Sequence, residues 1–397
     1  MKRILIVSPY EEIPIKKTCL ERSGRISNIF LERGYEVVWF SSSFDHQIKK
    51  RKVWNQKDSS NIKVEIIKTI PYFKNISLLR IISNFILGIN LFIRLRKYKN
   101  SDYIYSTVPI LETSYFAAIF ASKNNIPLII DYRDLWPEIF TNYIKAPNWV
   151  KNIILSPFYS MKKYILKKAK YLTSISEKML ELIREKNINA EDFVLYHHFD
   201  GPAKEDSLNL TTKFKSLNLD NELKTRIIFA GSFSNRHDFQ TIINVIEKFQ
   251  NIDLIIAGDG EQDLSKFSKL NNVKLVGQLN KEELHFLYSK CNFSFLPYPN
   301  DLDLNKSIPR KFSEYMYFGL PVISTNLKFL SKIIHQRNIG FTYEHKNKKE
   351  LERIFTKITM IKKHDQDMSN LIRNCKKTYN QLFSLKVFKE KIAKHIP

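Results

Sequence analysis

Short apolar runs alternate with helix-length amphipathic stretches along this chain. RILIV near the start is followed by a helical stretch, Leu20–Arg33, which Gly34 closes as a C-cap. EVVWFSSS reads as the next strand, and DYIYST, IPLIIDYRD and YLTSIS follow, the last leading into the helix EKMLELIREKN. These runs are short, continuous and rich in Ile and Val, the pattern of parallel strands covered on both faces. Helices between them predict right-handed crossovers and a doubly wound α/β domain.

Around HHFDGPAKEDSLNLTTKFKS the periodicity fades while Asn and Ser rise. This divides the chain into a first Rossmann-like domain, residues 1–199, and a linker, residues 200–222. Alternation then restarts. TRIIFAGSF, IDLIIAGDG, VKLVGQL, FSFLPY, PVIST and IGFTY read as strands. The stretches DFQTIINVIEKFQ, KEELHFLYSK and RKFSEYMYFG read as helices between them. The second α/β domain covers 223–375, and residues 376–397 form a C-terminal helix with the first domain as a surface to pack back on. Two such sheets imply a cleft between strand carboxyl ends, where open α/β folds bind ligands.

Composition adds limits. Apolar residues make up 43% of the 397 and charged residues 26%, a foldable globular balance. The three cysteines, Cys19, Cys291 and Cys375, are far apart and lack metal-ligand spacing, which points to a reducing compartment. The net charge of +24 is shared by both halves, with 32 Lys and Arg against 19 Asp and Glu in residues 1–200. One segment stands out. Between Glu138 and Glu177 lie Lys145, Lys151, Lys162, Lys163, Lys167, Lys168 and Lys170, with no acid. Such a run suits an anionic membrane surface at about 1 kcal/mol per Lys; a general Lys bias is the plainer account. The most apolar window, Arg80–Lys97, has an uncharged core from Ile81 to Ile93, short of the roughly 20 residues that span a bilayer. It reads as a partly buried or interfacial helix. No secretory cleavage pattern opens the chain.

Glycine is scarce, ten in 397. Gly231, Gly258, Gly260 and Gly277 each follow a predicted strand of the second domain, and Gly319 separates a helix from the next strand. Any strand-to-helix turn favours glycine, but five at one sheet edge also suit close approach of a ligand to backbone. In FAGSFSNRHDF a glycine turn enters a helix whose amides attract phosphate, with Arg236 and His237 placed to reach a diphosphate. Neither G-x-G-x-x-G nor a P-loop is present. In IPRKFSEYMYFGLPVIS, Lys311 and Glu314 are three apart on a predicted helix and share a face. They read either as an exposed ion pair or as a nucleotide site, with Lys on phosphate and Glu on two ribose hydroxyls.

IPRKFSEYMYFGLPVIS resembles the P-x-K-x-x-E-Y-M-x-x-G-x-P-V motif of GT-B glycosyltransferases of family 4, and in particular the WbuB-like bacterial enzymes of O-antigen and capsule synthesis. FAGSF, IAGDGE, LVGQLNKEEL and FLPY occur in the corresponding order. DYRDLWPE resembles that group's D-x-R-D-L-W-P signature, and ERSGR and FSSSFDHQIKKRK resemble other first-domain segments. The resemblance implies retaining transfer from a nucleotide-sugar donor, usually UDP-linked. It implies that Glu314 binds the donor ribose and that Lys311 and Arg236 hold the diphosphate. Gly231 and Ser232 would lie near the phosphates and Gly258, Gly260 and Glu261 near the nucleotide, with His237 where the family has a phosphate-binding Lys. It further implies a lipid-diphosphate acceptor of the undecaprenyl type and a cytoplasmic location on the inner membrane face.

The chain departs from the family at Lys306, which stands in place of a donor-sugar Glu, and at SPYEEIPIKK, which lacks the usual glycine loop. Transition-state charge on the leaving diphosphate can be stabilised by fixed cations and helix amides, so no metal or other cofactor is required. The D-x-D at Asp301–Asp303 falls in a variable loop, which does not suit a metal role. No nucleophilic carboxylate is identifiable, which leaves front-side displacement as the expected route. His46 and Asp134 are first-domain candidates for acceptor contact or proton transfer; a structural loop role suits them equally. The alternatives are a non-hydrolysing nucleotide-sugar epimerase, a catalytically dead membrane scaffold, and a basic nucleic-acid binder, although recognisable reading motifs are missing.

Overall fold

The computed structural model describes residues 2–14, 21–52, 61–142, 144–184, 189–201, 207–232, 237–260, 263–265, 267–299, 306, 308–361 and 365–397. The chain divides into two compact units, 1–195 with 389–397, and 196–388.

In the first unit, β1 (Arg3–Val7), α1 (Arg22–Glu32), β2 (Glu36–Ser42), β3 (Ile62–Ile67) and α2 (Leu78–Leu95) are followed by β4 (Tyr103–Val108) and α3 (Leu111–Lys123). Then come β5 (Leu128–Tyr132), α4 (Asn148–Lys168), β6 (Tyr171–Ser174), α5 (Glu177–Ile183) and β7 (Glu191–Val194). The strands form one seven-stranded sheet in the order β3-β2-β1-β4-β5-β6-β7, every pairing parallel. β1 buries Ile4, Leu5, Ile6 and Val7 completely, as a central strand covered on both faces must. Gly34 ends α1 with φ +80°, the conformation that glycine adopts without strain.

The second unit runs α6 (Ser207–Lys213), β8 (Thr225–Ala230), α7 (Phe239–Ile246), β9 (Ile252–Ala257), β10 (Val273–Gly277), α8 (Lys281–Lys290) and β11 (Phe293–Leu296). It continues through α9 (Arg310–Phe318), β12 (Val322–Thr325), α10 (Lys328–Arg337), β13 (Gly340–Tyr343), α11 (Lys348–Met360), α12 (Gln366–Leu382) and α13 (Leu385–His395). Its six strands pair in parallel in the order β10-β9-β8-β11-β12-β13. The strand order reverses between β8 and β11 here, and between β1 and β4 in the first unit. Both units are therefore doubly wound Rossmann-like sheets.

Several elements escaped the pattern. α3 is covered by α2 and α4 from two sides, so its polar residues, with Glu112, Thr113 and Ser114 buried, trace no solvent-facing stripe. β3 lies at a sheet edge and mixes Lys63 and Glu65 into its apolar positions. The stretch read as a linker belongs to the second unit. Phe199 packs on His285 and Tyr317, each with ring centroids 5.1 Å away, and Phe214 stacks on Phe286 at 5.9 Å. Two isolated aromatics anchor a segment that has no periodicity. At the other end, the close of α13 lies in the first unit, where His395 stacks on Phe193 at 4.5 Å and bonds Glu191 at 2.6 Å.

α2 occupies the most apolar window, and among the described residues it is the one helix long and apolar enough to cross a membrane by length and composition. One face is buried, and Gly88 is why it packs so closely: a Cβ there would fall 2.4 Å from the Phe116 ring of α3. The other face exposes Leu78, Leu79, Ile82, Ile89 and Ile93. In α4 the lysine run is not all solvent-facing. Lys162 is 4% exposed and pairs with Glu138 at 2.5 Å, whereas Lys163, Lys167 and Lys168 are exposed. The expectation that Lys162 faces an anionic surface is thus corrected.

Candidate functional site

In a parallel α/β sheet each crossover helix begins at the carboxyl edge of the strand before it. The strands of the second unit therefore deliver Gly231, Gly258, Gly277 and the start of α9 to one rim. Backbone bonds stitch that rim together: Gly231 N–H donates to Ala257 O at 3.0 Å and Gly258 N–H to Gly277 O at 2.7 Å. Gly258 is needed by the chain itself. It has φ +130°, and a Cβ there would sit 2.1 Å from the carbonyl oxygen of Gly231. Gly319 caps α9 in the left-handed conformation, φ +71°, against Ile372 of α12. The rim glycines thus reflect packing as well as any open approach.

Lys311 and Glu314 lie in the first turns of α9. Lys311 Nζ is 3.2 Å from Glu314 Oε2, and Tyr288 Oη donates to the same oxygen at 3.2 Å. Glu314 is 7% exposed, while the Lys311 side chain is 29% exposed. The pair is thus preorganised from behind by Tyr288 and open on the lysine side. His237, half-buried, packs its ring 5.2 Å from Tyr298 and 5.5 Å from Phe229. Asp238 follows at the start of α7, where its carboxylate accepts from Thr241 Oγ1 at 2.7 Å and Lys346 N–H at 2.8 Å. Ser232 and Gly260 are exposed. Arg236, Glu261 and Asp301–Asp303 lie outside the described residues.

The carboxyl rim of the first unit is built differently. Asp131, at the end of the all-apolar run of β5, is fully buried. Arg22 grips it in a two-pronged contact, Nε to Oδ2 at 2.7 Å and Nη2 to Oδ1 at 2.8 Å. Arg133 Nε donates to Oδ2 at 2.8 Å and Tyr105 Oη at 2.6 Å. Burial alone would raise Asp131, but the two guanidiniums and the phenol hold it well below the usual carboxylate range. Arg133 also bonds Glu11, and donates to Ser23 Oγ at 2.8 Å. DYRDLWPE and ERSGR, separate in sequence, supply the two halves of one ion network. A carboxylate closing a continuous apolar strand was the signal for it. Asp134, by contrast, is exposed, and its carbonyl accepts from Trp136 N–H at 2.9 Å.

His46 sits outside this network. Its ring stacks on Tyr10 with centroids 4.6 Å apart, and Nδ1 is 2.6 Å from Tyr72 Oη. Burial, then Arg80 and Lys49, lower its pKa to about 4, so the imidazole is neutral at physiological pH and a weak proton acceptor. Tyr72 Oη continues to Tyr10 Oη at 2.8 Å, and Tyr10 Oη donates to Asn84 Oδ1 at 2.7 Å.

Residues 211–375, which lie within the second unit, are similar to the family of glycosyl transferases group 1. No curated protein matches the chain by sequence. Among solved structures, sucrose-phosphate synthase from Thermosynechococcus elongatus is similar at TM-score 0.69 and 14% identity, covering 99% of this chain and 98% of that one. HepE of Anabaena, solved in complex with UDP, gives TM-score 0.65 and 14% identity, covering 99% of each chain. WaaG, a glycosyltransferase involved in lipopolysaccharide biosynthesis, gives TM-score 0.62 and 14% identity over 98% of each. The fold is therefore GT-B.

Proposed function

We propose that this chain is a retaining glycosyltransferase that moves a sugar from a UDP-linked donor to a lipid-linked or glycan acceptor in bacterial surface polysaccharide synthesis. One observation carries the reading: Lys311 and Glu314 sit together in the first turns of α9, at the carboxyl rim of the unit that matches glycosyl transferases group 1. Glu314, held by Tyr288, accepts the two ribose hydroxyls. Lys311 and the rim amides stand against the diphosphate. As the sugar C1–O bond breaks, the leaving phosphate takes the electron pair, and a cation already in place stabilises that charge without reorganising. The acceptor hydroxyl then bonds C1 on the face the phosphate leaves, its proton passing to the departing phosphate oxygen, which retains the anomeric configuration. HepE, solved with UDP and with UDP-glucose, supports uracil as the base.

The lipid-linked acceptor and a place on the inner face of the cytoplasmic membrane are supported by two features of the first unit. These are the exposed apolar residues of α2 and the start of α4, including Trp149 and Ile153, and the exposed lysines 163, 167 and 168. Melting curves with UDP, GDP and dTDP test the donor site. UDP is expected to stabilise the wild type, by about 2.7 kcal/mol at 100 times its Kd, and to do little for Glu314→Ala. Equal stabilisation of both proteins would move the nucleotide elsewhere. Flotation with anionic liposomes at low salt tests the membrane reading, which fails if the protein stays at the bottom.

A further inference from the structure

The first unit contains a pocket of about 260 Å³ that the donor site does not use. Ile81 of α2, Trp136 and Phe140 after β5, and Leu155 and Phe158 of α4 form its walls. Its rim is apolar and exposed: Leu78 is 72% accessible and Ile76 53%. Its inner end is polar, lined by Arg80, Asn84 and Glu112. Asn84 is 2% exposed and Glu112 only 1%.

Two atoms at that inner end have no partner. Glu112 Oε2 accepts from Asn84 Nδ2 at 3.5 Å, but Glu112 Oε1 is buried without a hydrogen bond. Arg80 Nη1 donates to Asn75 O at 2.5 Å while its buried Nε has no hydrogen-bond acceptor, and the guanidinium lies 5.2 Å from the Trp136 ring centroid. A buried polar atom left unpaired carries an uncompensated desolvation cost, which a ligand that satisfies both atoms removes. Burial pushes Glu112 up to about 7, against the opposing pull of its own backbone N–H, Asn84 and Arg80. Near neutral pH its carboxyl is therefore available as an O–H donor. Among the described residues, Arg80 and Glu112 are the two ionisable ones that line the pocket. Behind them on the same side stand Tyr10, Tyr72, His46 and Lys49, while α4 and the turn after β5 present apolar side chains.

We propose that this pocket binds a single-chain phosphate amphiphile head first. The phosphate oxygens accept from Arg80 Nε–H and from the protonated Glu112 Oε1, and the hydrocarbon chain runs outward past Trp136, Phe140 and Phe158 to the exposed rim. The volume holds one phosphate and the start of one chain. The ligand's class rests on the lipid-linked reading of the acceptor. The test measures binding with no donor present, so its result is separable from the UDP experiment.

Calorimetric titration of the full chain with monomeric dodecyl phosphate, inorganic phosphate and dodecyl maltoside decides the matter. One dodecyl phosphate is expected to bind per chain, with inorganic phosphate and dodecyl maltoside each at least tenfold weaker. Above pH 7 the wild-type affinity is expected to fall more steeply than that of Glu112→Gln, which donates at every pH. The difference approaches tenfold per pH unit, and because the ligand's own ionisation affects both proteins alike, the difference in slope belongs to Glu112. Arg80→Gln is expected to lose tenfold or more, and Ile154→Gln, an exposed rim substitution that leaves the interior intact, about fivefold. Parallel pH slopes in wild type and Glu112→Gln would overturn the proposal. So would equal affinity for inorganic phosphate, which would make this a free-phosphate site, or equal affinity for dodecyl maltoside, which would make it a detergent groove. Unchanged binding in Ile154→Gln would remove the chain's path.

Discussion

The two units share a topology but finish their carboxyl rims in opposite ways. In the first, Asp131, Arg22, Arg133, Glu11 and Tyr105 satisfy one another in a buried network. In the second, glycine turns edge the rim, and Lys311 has Glu314 as its partner while remaining partly open to solvent. A doubly wound sheet gathers backbone dipoles and loop residues at that edge whatever the loops contain. Charges that pair among themselves there hold the unit together. Charges left partly unpaired are available to a ligand. The same edge can therefore serve stability in one unit and chemistry in the other.

The contrast can be broken by substitution. The largest effect is expected from Asp131→Ala, which strands two guanidiniums in the interior. A loss of about 3–5 kcal/mol in denaturant unfolding is expected, and a neutral result would mean the network is not structural. Lys311→Met should cost much less than Asp131→Ala in denaturant unfolding, because Lys311 is partly exposed and Tyr288 still donates to the buried Glu314 carboxylate. Its sugar transfer should fall about 10²–10³-fold, measured as UDP release in the presence of acceptor.

Glu112→Gln sharpens the contrast through pH. The folded pKa of about 7 stands above the ordinary glutamate value of 4.5, so the folded state holds a proton that the unfolded chain releases. The associated stability is complete below pH 4.5 and lost as pH rises through 7, about 3 kcal/mol in all. Relative to wild type, the variant should therefore gain stability between pH 5 and pH 8; a constant difference across that range would contradict the assignment. The smallest effects belong to the lysines of α4. Neutralising Lys163, Lys167 or Lys168 should each weaken liposome binding by about 1 kcal/mol, or roughly fivefold, without lowering stability. Lys162→Gln should instead destabilise, since it leaves Glu138 without its cation.

Much of this was legible in the residues. The two α/β domains, the strands RILIV and IDLIIAGDG, the helix carrying Lys311 and Glu314 and the glycine cap at Gly319 follow from local pattern, because periodicity and φ preference act over a few residues. α3 was not legible, since a helix covered from two sides has no polar face to mark it. The stretch around Phe214 carried no periodic signal, because Phe199 and Phe214 are fixed by partners far away in sequence.

By itself the sequence determined the fold class, the strand-helix order and the chemistry held within single motifs, all properties of neighbouring residues. Only the tertiary structure decided which charges are internal. Asp131 meets Arg22 across 109 positions, Lys162 turns inward to Glu138, and Glu112 ends beneath an apolar pocket. Whether an ionisable group pairs, titrates or faces solvent depends on what burial places beside it, and burial is set by contacts distant along the chain.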